Sequence, residues 1–168
     1  MTPAPWLTEH RHLLPPRGEA LDVACGRGRH ALWLAAQGFS TLGIDRDADA
    51  VLALNEEARR LRLPLAAAVV DLEAGEVSLG HAAYDLLVVM RYLHRPLFPS
   101  LLAALRPGGV LVYETFTRAQ AARGKPSNPR FLLEDGELRE LIRPLAVLVE
   151  REGDVDGACL AGIIATAR

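Results

Sequence analysis

Three observations in this chain predict a doubly wound α/β fold on a seven-stranded, mostly parallel sheet with an antiparallel last strand. Strand-like apolar runs alternate with segments of helical period along most of its length. The run Tyr84 to Met90 is almost continuously apolar, the pattern of a parallel strand covered on both faces. The last two apolar runs, Leu145 to Val149 and Cys159 to Ala165, are separated only by the turn-rich residues 150 to 158. A parallel crossover needs about a dozen residues or more, so the final strand is expected to return antiparallel to its predecessor, giving six strands in one direction and one reversed.

In chain order, Thr2-Pro3 opens a lead-in helix whose apolar face carries Trp6, Leu7, His10, Leu13 and Leu14, and Pro15-Pro16 ends it. Glu19 to Ala24 is a strand running into the turn Cys25-Gly26-Arg27-Gly28, with a helix from Arg29 to Gln37 terminated by Gly38. Ser40 to Asp45, Ala48 to Leu61 and Leu65 to Val70 repeat the alternation as strand, helix and strand. After the central strand, Leu97 to Leu105 is helical, Pro107-Gly108-Gly109 breaks it, and Val110 to Phe116 is the fifth strand. Residues 117 to 133 have no clean period and hold Gly124, Pro126 and Pro129, the marks of a long functional loop. A helix from Glu134 to Ile142 precedes the final two strands.

The 168 residues, 50% apolar and 24% charged with a net charge of -2, describe one globular domain spanning 1 to 168, with a linker-like lead-in over 1 to 18. A chain this long buries roughly 70% of its unfolded surface and needs no staple. The near-neutral balance, with no long basic run, argues against a nucleic-acid partner. Apolar stretches break well before the roughly 18 residues of a membrane span, and the amino terminus lacks a basic region followed by an apolar one, so a cytoplasmic protein without membrane contact is expected. Cys25 and Cys159 cannot form a metal cluster by spacing, and two buried free thiols are expected.

Open α/β sheets bind ligands at the carboxyl ends of their strands, which here carry Asp22 to Gly28, Asp45-Arg46, Asp71-Leu72, Met90 to Arg95 and Glu114 to Phe116. Gly26 and Gly28 let the backbone pass close beneath a ligand, and the following helix offers its first amides. The spacing Gly26-x-Gly28-x-x-Ala31 also fits the nicotinamide-dinucleotide fingerprint, so the glycines alone leave the cofactor open. A carboxylate at Asp22 would repel a pyrophosphate and favour a ligand with positive charge. Asp45 stands where a carboxylate accepts from both ribose hydroxyls, or else caps the helix beginning near Asp47. Asp71, with the Leu72 backbone, is placed to read an adenine amine.

The segments Asp22-Val-Ala-Cys-Gly-Arg-Gly, Gly43-Ile-Asp45, Val70-Asp71, Tyr84-Asp-Leu-Leu-Val-Val and Leu105-Arg-Pro-Gly-Gly-Val-Leu resemble, in order and spacing, the motifs of class I S-adenosylmethionine-dependent methyltransferases. Within that family the chain looks most like the small tellurite-resistance-type or ubiquinone-biosynthesis-type branch. The resemblance implies the Rossmann-like methyltransferase fold and S-adenosylmethionine as cofactor. It implies a pocket for the methionine moiety shaped by Asp22, Ala24, Cys25, Gly26 and Gly28, with the Met90 carbonyl facing the methionine amine. Asp45 with Arg46 would hold the ribose side, and Asp71 with Leu72 would meet the adenine. Ala24 stands where the family often has a first glycine, and a slightly tighter turn is expected there.

A sulfonium is already an activated methyl donor, so transfer requires positioning, water exclusion and, for some nucleophiles, a base. Tyr92 and His94, following the central strand, are the expected orienting or proton-accepting groups; no metal-ligand run is apparent. Tyr113, Glu114 and Phe116, with Lys125, Asn128, Arg130 and Phe131 of the long loop, are expected to line an acceptor pocket. Convergence of Arg91, Arg95, Lys125 and Arg130 would favour a small anionic or oxyanion acceptor. Little chain remains to roof the cleft, so a mobile loop or a second subunit, in a monomer or homodimer, is expected to supply it. Two other readings stay open: a nicotinamide-binding module, and a non-catalytic adenosyl-ligand-binding sensor or partner subunit.

Overall fold

The computed structural model describes residues 1 to 168. Its seven strands are β1 (Gly18–Val23), β2 (Phe39–Asp45), β3 (Leu65–Val69), β4 (Tyr84–Met90), β5 (Leu105–Phe116), β6 (Ala146–Val155) and β7 (Ala158–Thr166). They form one sheet in the order β3-β2-β1-β4-β5-β7-β6. β1 to β5 pair in parallel, and β7 runs antiparallel to both β5 and β6, so six strands share a direction and one is reversed, as the short final connection requires. The helices are α1 (Pro5–Thr8), α2 (Arg29–Ala36), α3 (Ala48–Leu61), α4 (Phe98–Ala104) and α5 (Glu137–Leu141).

Alternation along β4 divides the core in two. Leu86, Val88 and Met90 pack with Trp6, Leu7, Leu34 and Phe39 from the lead-in segment, α2 and β2. Leu87 and Val89 pack with Leu101 of α4, Leu138 of α5 and Ile163 of β7. Every residue from Leu86 to Met90 is buried, which accounts for the unbroken apolar run in the sequence.

Several expected boundaries move for identifiable reasons. The lead-in helix stops at Thr8 and resumes only as a 3-10 turn over Arg11–Leu13. The His10 ring Nδ1 lies 2.9 Å from the Trp6 carbonyl, the group that would have received the next helical amide. β5 begins at Leu105, before Pro107-Gly108-Gly109, because Leu105 already pairs with Tyr84 and the ladder resumes at Val110 after an irregularity. The expected turn-rich loop over 150 to 158 is not a loop. β6 continues to Val155, and Asp156-Gly157 alone reverses the chain with φ of 50° and 86°, the left-handed pair of a tight hairpin turn. The long segment 117 to 133 holds two 3-10 turns, Arg118–Ala122 and Pro129–Phe131, and a parallel bridge from Thr117 to Leu133 closes its base.

Candidate active site

At the end of β1 the chain turns through three left-handed residues, Ala24 (φ 54°), Gly26 (53°) and Gly28 (83°). A Cβ on Gly28 would lie 2.4 Å from Leu54 Cδ1 of α3, so glycine there is demanded by packing as well as by φ. Ala24 accepts the same conformation with a methyl group, at a cost of roughly 1 kcal/mol. Asp45, at the end of β2, pins the turn from the side: its Oδ2 accepts from Gly26 N–H at 2.8 Å and its Oδ1 from Asp47 N–H at 2.9 Å. The cap of α3 is Asp47 itself, which accepts from Asp49 and Ala50, so Asp45 is free of that duty. Cys25 is buried against Gly43, and burial pushes its thiol far above the usual range.

Asp22 departs from expectation. Its side chain is 1% exposed, and Oδ2 accepts the Ala31 amide at 3.0 Å, serving the first turn of α2 from beneath in place of a side-chain cap. Burial raises its pKa to about 7 against the opposing pull of the Ala31 amide and Arg29. It does not line the cavity, so repulsion of a pyrophosphate by Asp22 is not an argument the geometry carries. Beside it, burial lowers His30 to about 4, and the neutral ring accepts the Ala4 amide at 3.1 Å.

A cavity of about 540 Å³ opens beyond these strand ends. It is lined by Ala24, Asp45, Arg46, Val70, Asp71, Leu72 and Glu73 at and beyond the ends of β1, β2 and β3, and by Arg91, Tyr92, Leu93, Thr115, Phe116, Pro126, Arg130 and Phe131 at and beyond the ends of β4 and β5. Asp71 Oδ1 accepts the Glu73 amide at 3.0 Å, and Leu72 is buried. Segment 117 to 133 reaches the cavity wall through Pro126, Arg130 and Phe131. Gln120 anchors it by accepting the Cys159 amide at 2.8 Å and donating to the Lys125 carbonyl at 3.2 Å.

Of the four basic groups expected to converge, two do. The guanidinium groups of Arg91 and Arg130 line the cavity and make no hydrogen bond closer than their ion pairs, at 3.9 Å to Glu114 and 3.6 Å to Glu73. Arg95 is spent on structure: it grips Glu137 at 2.6 and 2.9 Å and donates to the carbonyls of Arg130 and Leu132. Lys125 and Asn128 lie outside the cavity, Asn128 capping the Pro129–Phe131 turn by accepting the Arg130 amide. Tyr113 is stacked on Phe98 and donates its hydroxyl to the Tyr92 carbonyl at 2.6 Å, fully buried beneath the site. Glu114 points to the opposite face, 1% exposed, and accepts from Arg151 at 2.8 Å. Met90 is buried in the core, and Gly26 and Gly28 form the floor of the turn without lining the cavity.

The Tyr92 hydroxyl is buried without a hydrogen-bond partner, and burial followed by the nearby Glu73 carboxylate raises its pKa to about 12. His94 stands behind the wall, with Nδ1 3.6 Å from Glu73 Oε1. Glu73 is the residue that sequence reasoning missed. It faces His94, Arg130 and, at 3.8 Å, Arg46, three cationic or basic groups from three different loops. Its only signal in the sequence was its place two residues beyond Asp71.

Residues 20 to 109, more than half of the chain, match the family model described as a methyltransferase domain. The chain is 28% identical over 128 residues to hemagglutinin 1 of Eikenella corrodens, covering 73% of this chain and 42% of that protein. It is 26% identical over 88 residues to a Haemophilus influenzae protein described as a probable S-adenosyl-L-methionine-dependent methyltransferase, TehB, covering 52% of this chain and 31% of the relative. The chain thus spans less than half the length of either curated relative. The crystal structure of TehB from Haemophilus influenzae superposes with a TM-score of 0.75 at 20% identity, over 97% of this chain and 61% of that one. An S-adenosylmethionine-dependent methyltransferase from Mesorhizobium loti does so with a TM-score of 0.77 at 18% identity, over 97% and 98% of the two chains.

Proposed function

The chain belongs to the methyltransferase-domain family, and from that premise we propose that it transfers a methyl group from S-adenosylmethionine to a small-molecule acceptor. The observation that carries the reading is Asp45, which locks the glycine turn through Gly26 and still faces the cavity with unused lone pairs on both oxygens. In this reading Asp45 holds the ribose and Arg46 flanks it. Asp71 and the Leu72 backbone receive the adenine. The turn Ala24 to Gly28, supported from below by Asp22, and the Met90 carbonyl bound the methionine moiety. The donor supplies a methyl group on a sulfonium, whose positive charge suits a cavity half lined by Asp45 and Asp71.

The other half is assigned to the acceptor, with Arg91, Arg130 and Phe116 as its walls and segment 117 to 133 as the cover that excludes water. Tyr92, held protonated by its raised pKa, serves as a hydrogen-bond donor that orients rather than as a base. His94, behind the wall and 3.6 Å from Glu73, is assigned a positioning role through Glu73 and no contact with the nucleophile. Arg91 and Arg130 support a small, anionic acceptor. No helix is long and apolar enough to cross a membrane.

Calorimetry with S-adenosylmethionine, S-adenosylhomocysteine and NAD tests the reading. Both adenosyl ligands are expected to bind, and NAD is not. Asp45→Ala is expected to weaken the adenosyl ligands by roughly 1.5 to 3 kcal/mol, the worth of hydrogen bonds to a charged group. NAD binding without adenosylhomocysteine binding overturns the proposal. Donor binding without turnover on any small thiol, hydroxyl or oxyanion acceptor would favour a sensor or partner subunit.

A further inference from the structure

We infer that the acceptor half of the cavity is built for a planar aromatic carboxylate, an assignment that rests on the division of the cavity into donor and acceptor halves proposed above. Two arginine-aromatic stacks face it. The Arg91 guanidinium carbon lies 4.7 Å from the Phe116 ring centre, and that of Arg130 lies 5.8 Å from Phe131, a phenylalanine that is 42% exposed at the mouth. Leu93 and Pro126 add apolar surface, so the walls that meet a ligand here are flat and apolar with cationic edges.

Arg91 is held ready for an anion by its surroundings. Its nearest carboxylate is Glu114, 3.9 Å away, beyond hydrogen-bond reach. Glu114 gives its close contact to Arg151 instead, at 2.8 Å, and Arg151 is itself fixed with its guanidinium carbon 4.6 Å from the Trp6 ring centre. Arg151 therefore competes for that buried carboxylate and leaves the fork of Arg91 unspent. The Arg91 backbone sits at φ 58°, a conformation costly for a long side chain and tolerated where the surroundings impose it. Arg130 is balanced by Glu73, and Asp45 and Asp71 keep negative charge on the donor side of the cavity, which orients a ligand's carboxylate toward Arg91. A spherical inorganic oxyanion would engage Arg91 and leave the aromatic walls uncovered; an aromatic acid engages both.

Benzoate, benzamide and inorganic sulfate are the probes, each titrated by calorimetry into the full chain with and without saturating S-adenosylhomocysteine. Benzoate is expected to bind at least about ten-fold more tightly than either of the others. Arg91→Met is expected to abolish that preference over benzamide while the variant binds adenosylhomocysteine as the parent does. Sulfate binding equal to benzoate binding, or benzamide binding equal to it, overturns the inference. So does parental benzoate affinity in the Arg91→Met variant. Failure of adenosylhomocysteine to bind while benzoate binds would instead overturn the donor reading and leave the anion site standing.

Discussion

Gly26 and Gly28 share a turn and a left-handed backbone, yet they answer different demands. A Cβ on Gly26 would meet nothing within 4 Å, so Gly26→Ala is expected to cost only the conformational strain, about 1 kcal/mol. Gly28→Ala drives a methyl into Leu54 and adds overpacking of about 1 to 3 kcal/mol, so denaturant melts should rank the two variants clearly. Asp22, at the end of β1 beneath the first turn of α2, and His30, within that turn, form a second contrast. The Asp22 carboxyl, raised to about 7, favours the folded state below its unfolded value near 4, and that contribution is lost as pH rises toward 7. His30, lowered to about 4, favours the folded state above 6.5, and its contribution is lost as pH falls toward 4. The two nearly cancel across one window. Asp22→Asn removes the first alone, so relative to the parent the variant should lose stability on acidification from pH 7 to pH 4, by an amount on the order of 3 kcal/mol. Denaturation midpoints at four pH values check this; a constant difference between variant and parent would refute it.

Among the elements, α3 and β4 were legible to the residue, because Asp47 caps the one and both faces of the other are buried. β6 was not. Its outer half, Glu150 to Val155, is the exposed edge of the sheet and carries charged residues and a glycine, so burial leaves no apolar pattern to read. The cavity wall was partly legible: strand ends can be counted along the sequence, and Ala24, Asp45, Arg46, Asp71 and Leu72 line it as expected, whereas Asp22, Cys25, Gly26, Gly28 and Met90 do not. Of the residues expected around an acceptor, Arg91, Phe116, Arg130 and Phe131 line it, but Tyr113 and Glu114 belong to opposite buried faces of β5 and Arg95 faces α5, orientations that no spacing encodes. Arg95 instead ties residues 130 and 132 and α5 to the end of β4. Arg95→Met should raise amide exchange across residues 118 to 133 and cost about 1 to 3 kcal/mol of stability by stranding Glu137 and two carbonyls. Adenosylhomocysteine affinity should stay within about three-fold, roughly 0.65 kcal/mol, since Arg95 touches no wall of the donor half.

Across the whole molecule, the lead-in segment and the reversed strand close on each other. Trp6, 2% exposed, donates from its indole to the Ile163 carbonyl at 3.4 Å and lies against Gly162, where a Cβ would meet the ring at 2.8 Å. Gly162→Ala is therefore expected to displace the indole, shifting Trp6 fluorescence to the red in a Trp33→Phe background and lowering stability by about 1 to 3 kcal/mol. Unchanged emission would show that the ring has another place to pack. The strand that receives Trp6 also has an order-of-events consequence. β7 follows β6 in the chain, yet it lies between β5 and β6. During vectorial synthesis, at about 5 to 20 residues per second, β5 waits with an unpaired edge and Trp6 waits without its platform until residues 158 to 166 have emerged. The nascent chain must shield that edge for several seconds, and Asp156-Gly157 shortens the wait by delivering β7 already folded back on β6, ready to enter as a ribbon.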